Sequence, residues 1–212
     1  MHRLLLLCFF ILLSVASFSQ RFYGGVLAGF NGSQVEGDRY SGYNKPGVVG
    51  GVWAQTDVSD KLFWGMELKY NQKGSRKYQN PKKNDYNEFV YRLDYVDLPV
   101  LAGYKYNEAV SFFGGLSFGV LLHKYEAFNG DPSPSISDSN LHNWELGMLA
   151  GAKVDFDRIV ERSWAKNFVF DMRFQYSALS TYGKISPFFL HTYAQRQFNN
   201  LISMALFYRI DF

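Results

Sequence analysis

The residues with chemistry to offer come in pairs two positions apart: Glu67 with Lys69, Lys153 with Asp155, and Asp171 with Arg173. Asp97, Lys105, Glu145 and Arg209 complete a set in which the two signs are equally represented. A two-residue spacing puts both members on one face of a β-strand, within reach of partners from the neighbouring strands. Such a set could relay protons, hold a ligand, or fill an interior with salt bridges. The balance of signs favours the last, because buried charges persist only when paired and hydrogen-bonded.

A second group, Lys73, Arg76, Lys77, Lys82 and Lys83, is interleaved with Tyr78, Asn80 and Tyr86. Cations and donors so grouped suit phosphate groups. Asp85 and Glu88 dilute the charge, and a solvated loop is the plainer account. His123, His142 and His191 lack the close spacing of metal ligands. His191 with Ser186 or Ser180 is the nearest approach to a nucleophile and base, but nothing in the sequence orients the base. Asn129-Gly130-Asp131 and the segment 135–138 offer oxygens without the spacing of an EF-hand. No catalytic residue, cofactor site or metal site is therefore assigned.

The elements that must position these residues announce themselves by period-two alternation. In 62–71, Leu62, Trp64, Met66, Leu68 and Tyr70 make an oily face, opposite Phe63, Gly65, Glu67, Lys69 and Asn71. In 167–177, Phe168, Phe170, Met172, Phe174 and Tyr176 oppose Asp171, Arg173 and Gln175. Segments near 96–106, 110–122, 144–155 and 202–212 follow suit, while those near 21–31 and 47–57 are glycine-rich and less certain in facing. About eight strands of roughly ten residues result, the length that crosses a hydrocarbon layer at a barrel's tilt. Pro99, inside one strand, removes a ladder bond and suggests a local bulge.

Connections alternate in length. Segments 31–46, 74–90, 123–142 and 178–196 are long and polar; those near 57–61 and 106–109 are tight, and 156–166 lies between. Long loops outside and short turns at the periplasm are the pattern of outer-membrane barrels. Aromatic residues fall into two girdles on that assumption. Trp64, Tyr104, Tyr106, Phe112, Phe168 and Phe212 mark the periplasmic edge, and Tyr70, Trp144, Tyr176 and Phe198 the outer edge. The expected fold is all-β: an eight-stranded antiparallel up-and-down transmembrane β-barrel.

Composition agrees. Phe (20), Tyr (15) and Gly (19) are abundant, yet mean hydropathy is only −0.18, as expected of strands whose faces meet different solvents. The N-terminus carries Arg3, an apolar run from Leu4 to Ala16, and small residues at Ser17 and Ser19. That is the layout of a secretory signal peptide over 1–19, with the barrel domain over 20–212. Removing the leader takes away Arg3 and no acid, so the net charge falls from +3 to +2, too little to argue for nucleic acid. Cys8, the single cysteine, would leave with it, excluding disulfides and thiolate chemistry.

Several stretches resemble the PorT-like "porin family" of outer-membrane β-barrel proteins. They are Gly29-Phe30-Asn31 with Ser33, the run from Gly47 to Gln55, the run from Tyr95 to Leu101 with its Asp97 and Pro99, and the terminal Ile210 and Phe212. The resemblance implies a multi-pass protein of the Gram-negative outer membrane. It implies delivery by the barrel-assembly machinery, contact with outer-membrane lipid and lipopolysaccharide, and an envelope or secretion protein as partner. It brings no catalytic residue and no cofactor. An eight-stranded interior is just wide enough for side chains to fill. The expected function is thus structural or interactive, through long outer loops over a plugged lumen. A small-solute porin is the alternative, then a lipid-modifying enzyme, then a soluble lipocalin-like barrel. The cation group from Lys73 to Lys83 is the expected lipopolysaccharide contact.

Overall fold

A computed structural model describes residues 22–38, 40–132, 140–160, 162–188 and 196–210. The eight long strands are β1 (Phe22–Glu36), β2 (Lys45–Asp57), β3 (Leu62–Lys77), β4 (Phe89–Lys105), β5 (Val110–Phe128), β7 (Trp144–Asp155), β8 (Phe168–Ser177) and β9 (Phe198–Ile210). A two-residue strand, β6 (Asp131–Pro132), folds back on the end of β5. Neighbours pair antiparallel in the order β4-β3-β2-β1-β9-β8-β7-β5, and β4 pairs with β5 to close the ring. Closure leaves no long strand with an unpaired edge, which a backbone crossing hydrocarbon requires.

In β1 to β4 and β7 to β9 the odd-numbered residues point inward, β1 and β2 included. Leu27, Asn31, Val49 and Trp53 are buried, whereas Val26, Phe30, Val48 and Val52 are exposed. Outward residues change character part-way along the longest strands. On β3 they run from Leu62 to Tyr70 and then become Gln72, Gly74 and Arg76; on β4 Arg92 and Asp94 give way to Val96, Leu98 and Val100. The apolar belt is therefore about ten residues deep on each strand, as a bilayer demands. So much exposed Val, Leu, Met and Phe exceeds what a soluble protein tolerates.

Several strands outrun their apolar stretch, so segments expected as loop are ladder. β1 continues to Glu36, β3 to Lys77 and β5 to Phe128, and β4 begins at Phe89. The reason is pairing: Gln72 through Lys77 bond to Phe89 through Asp94 whether or not their outward faces are oily. The tip of β5 turns at Asn129 and Gly130, both at positive φ, and the Asn129 side chain accepts from Glu88 N at 2.8 Å. Asn129 thus works as a turn staple.

The bulge lies elsewhere than expected. Pro99 pairs with Ser117 in continuous register, and the β3–β4 ladder merely skips Glu67 and Leu68 beside it. The register shift falls between Asp94 and Tyr95, where Leu122 is the additional residue on β5. Beyond it the inward positions on β5 become the even-numbered Lys124 and Glu126, paired with Leu93 and Tyr91.

The turn side is compact. Ser59 Oγ accepts from Leu62 N at 3.1 Å, and Asn107 Oδ1 accepts from both Ala109 N and Val110 N. Two short 3-10 helices, Phe156–Arg158 and Ser163–Asn167, fill the third connection. The aromatic girdle at this edge includes Trp64, Tyr104, Tyr106 and Phe112, all exposed. At the other edge Tyr70, Trp144 and Tyr176 are half-buried. Phe198 departs from the expectation: it is buried, with its ring stacked on Tyr176 at 6.1 Å. Phe212 lies outside the described residues.

Gly74 shows how tightly the protruding ladder is built. Its φ is +134°, and a Cβ there would sit 1.9 Å from the Tyr91 carbonyl oxygen. Gly74→Val should therefore lower stability by about 3 kcal/mol. A urea titration of the refolded protein in detergent checks this; an unchanged midpoint would contradict the register given for β3 and β4.

Candidate functional site

The inward faces stack side chains in layers, set by strand register. Midway along the barrel Arg173 on β8 grips two carboxylates. Its Nη1 and Nη2 each donate to Glu67 of β3 at 2.8 Å, and its Nε and Nη2 each donate to Asp171 at 2.7 Å. Lys69 adds a contact of 3.3 Å to Glu67. All four residues are buried. A planar guanidinium that engages two carboxylates by two bonds each is among the strongest ionic arrangements a protein makes.

One layer outward, Lys73 bridges β4 and β7. Its ammonium lies 3.0 Å from Asp97 and 2.9 Å from Glu145, over the ring of Tyr95. Asn71 donates to Asp97 at 2.8 Å, and Asn31 donates to Asn71 at 2.7 Å. Glu145 also accepts from Ser177 Oγ at 2.8 Å and Asn199 Nδ2 at 2.9 Å. Above this network Val35, Tyr91, Leu93, Tyr95 and Leu141 form an apolar lid.

Toward the short turns the lumen becomes aromatic. Trp53, Phe207, Leu27, Val49 and Val169 form one cluster and Phe63, Leu101, Phe113 and Leu149 another. Lys153 is buried among them, then the lumen widens into a cavity of about 480 Å³. Lys105 donates to Asp57 at 2.7 Å and Arg209 to Asp155 at 2.8 Å around its rim.

The ten charged residues singled out by sequence therefore divide among levels. Glu67, Lys69, Asp171 and Arg173 share one network, Asp97 and Glu145 belong to the next, and Lys105, Lys153, Asp155 and Arg209 surround the cavity. Lys73 does not belong with the outer-loop cations, as its place in the sequence suggests; it is fully buried at the heart of the second network. β3 continues past Asn71, and Lys73 keeps the odd-numbered, inward parity of Glu67 and Lys69. That parity was available in the sequence; the apparent end of the apolar alternation hid it. Asn199 was hidden for the same reason, lying before the alternation of the last strand begins, whereas Ser177 falls on the polar face of 167–177 as that alternation implies.

The rest of the outer cation group is partly engaged. Arg76 pairs with Glu88 at 2.6 Å and Lys77 with Asp85 at 2.6 Å; Lys82 and Lys83 are exposed on the short helix Pro81–Lys83. The hydrogen bond from Lys77 holds the Asp85 carboxyl below its usual range. Burial pushes Asp38 up, against hydrogen bonds from Ser75 Oγ and Tyr40 N. No group of three or more metal-ligating side chains occurs among the described residues. His191 and the segment 135–138 lie outside them. Ser180 Oγ donates to Lys184 O and accepts from Ser186 N, while Ser186 Oγ accepts from Arg196, so both hydroxyls are committed locally.

A closed ring of eight antiparallel strands with an apolar outer belt and a charged interior is the architecture of an outer-membrane barrel. The family model for the outer membrane protein beta-barrel domain matches residues 17–181. The chain belongs to that family. Among solved structures it is similar to Neisserial surface protein A, at 14% identity and a TM-score of 0.52 over 90% of this chain and 97% of that one. It is also similar to Ail, the attachment invasion locus protein of Yersinia pestis, solved with the heparin analogue sucrose octasulfate. There the identity is 17% and the TM-score 0.48, over 90% of this chain and 99% of that one. OprG from Pseudomonas aeruginosa follows at 15% and 0.36, over 90% and 95%. At these identities the likeness concerns fold. No curated protein matches the sequence.

Removing Arg173 alone would strand two buried carboxylates. Arg173→Met should cost roughly 3–5 kcal/mol, and adding Asp171→Asn, which leaves Glu67 to Lys69, should recover part of it. Urea midpoints of the two variants decide; a double variant no more stable than the single one would contradict the ionic layer.

Proposed function

We propose that the protein is a non-enzymatic barrel of the Gram-negative outer membrane, with a plugged lumen and with its interactions carried by the outer loops. The observation behind this is the saturated interior. From Arg173 to Glu145 the lumen side chains are buried, and every charge in those two layers has an opposite partner. A water-filled path would need room that these residues occupy. Within the family, the PorT-like label is the finer assignment that the sequence stretches favour. It carries with it delivery by the barrel-assembly machinery after cleavage of residues 1–19, and an envelope or secretion protein as partner. Loops on a rigid scaffold are where such contacts collect.

Planar-bilayer recordings of the refolded protein test the plug. We expect no discrete conductance steps; a reproducible open channel would overturn the plugged lumen and favour small-solute transport.

The outer loop carrying Lys82 and Lys83 is the proposed lipopolysaccharide contact, with Arg76 and Lys77 beside it. The double variant Lys82→Glu, Lys83→Glu should weaken association with lipopolysaccharide vesicles about fivefold at low salt, and less at high salt. Unchanged association at low salt would remove this loop from the interface.

A further inference from the structure

The cavity at the turn side has a composition that the ionic layers do not share. Its volume, about 480 Å³, lies within the range of sites for small organic ligands. Rings of Trp53, Phe63 and Phe207 make its inner wall, with Val169 beside them. Three rim cations already have partners, Lys105 with Asp57, Arg209 with Asp155, and Arg158 with Glu108 at 3.1 Å, and the fourth, Lys61, is exposed to solvent at the mouth.

Lys153 is different. It is buried, with 6% of its surface exposed, and no carboxylate among the described residues pairs with its ammonium. Its hydrogen bond, to Gln55 Oε1, is long at 3.4 Å. Four rings surround the ammonium instead, Phe207 at 4.8 Å, Phe113 at 5.4 Å, Trp53 at 5.7 Å and Phe63 at 5.8 Å. Asp171, the cross-strand neighbour of Lys153, and Glu67 are both held by Arg173. An ammonium has three protons to donate, and here one weak amide contact uses them. Aromatic faces offset part of the cost of burying a cation, but they supply no acceptor for its protons.

From this geometry we infer that the cavity is a binding site for a small aromatic carboxylate, its carboxylate on Lys153 Nζ and its ring among Trp53, Phe63 and Phe207. A cationic ligand would meet Lys153 as a like charge, and inorganic phosphate would meet hydrocarbon where it needs water. A flat anion with an apolar body satisfies both constraints. The site opens between the short turns, hence toward the periplasm. It is a dead end beneath the ionic layer, so it stands whether or not the outer loops bind lipopolysaccharide.

The experiment is isothermal titration of 2-naphthoate into the protein in lipid nanodiscs, with empty nanodiscs as reference for partitioning. Saturable one-to-one binding is expected. Lys153→Met should weaken it at least about tenfold and Lys153→Arg by less than about threefold, and uncharged 2-naphthamide should bind the wild type at least about tenfold more weakly. Heat-dependent electrophoretic migration shows that each variant is folded. Ser111→Trp, which fills the cavity from its β5 wall and leaves Lys153 in place, is a second route to loss of binding. Absence of saturable heat from the wild type would overturn the proposal. So would binding that survives both Ser111→Trp and the loss of the charge on either partner.

Discussion

Hydrocarbon offers a peptide group nothing to bond to, so each backbone N–H and C=O inside the bilayer must find a partner within the protein. In this chain the obligation is met by the pairing of β4 with β5, which turns an eight-stranded sheet into a ring. Everything else follows from that seam. A closed ring has an inside and an outside, and consecutive residues must alternate between them. Two solvents of opposite character then write a period of two into the sequence. The ring also fixes the bore, which is narrow enough that the inside must be built of side chains.

Filling the bore posed a chemical choice that the protein settles by level. Midway along the barrel the filling is ionic, organised around Arg173, and at the outer edge of the apolar belt it is ionic again around Lys73, each cation shared between two carboxylates. Toward both ends it becomes aromatic and aliphatic, with Tyr91, Leu93 and Tyr95 at one side and Trp53, Phe63, Phe113 and Phe207 at the other. Charges thus sit between hydrophobic caps, where water competes least. Such an arrangement strengthens each pair and makes any unpaired member costly.

Much of this was legible in the residues. Glu67, Lys69, Asp171 and Arg173 share parity with neighbours whose alternates are Leu, Met and Phe, and period alone sends them inward. What sequence could not supply was the identity of each partner. Glu67 meets Arg173 across 106 positions because β3 and β8 face each other across the bore, a fact of closure and stagger rather than local pattern. The extent of the strands was also hidden. Ladder pairing carries β3 and β4 beyond the lipid, where outward residues are polar and alternation of hydropathy stops. Lys73 fell on the wrong side of that line, and the expected bulge at Pro99 failed because a proline can forgo one ladder bond without changing register.

The additional residue at Leu122 has a consequence for how this strand tolerates change. Below it, odd positions face the lumen; above it, even positions do. The bulge therefore acts as a phase shift between a membrane half and an outer half of one continuous strand. Insertions or losses of a residue near that point alter where the phase changes, and leave the pattern in the hydrocarbon intact. The outer half of β5 can drift in sequence and length on its own terms, while the half in the bilayer stays bound to the alternation that the lipid imposes.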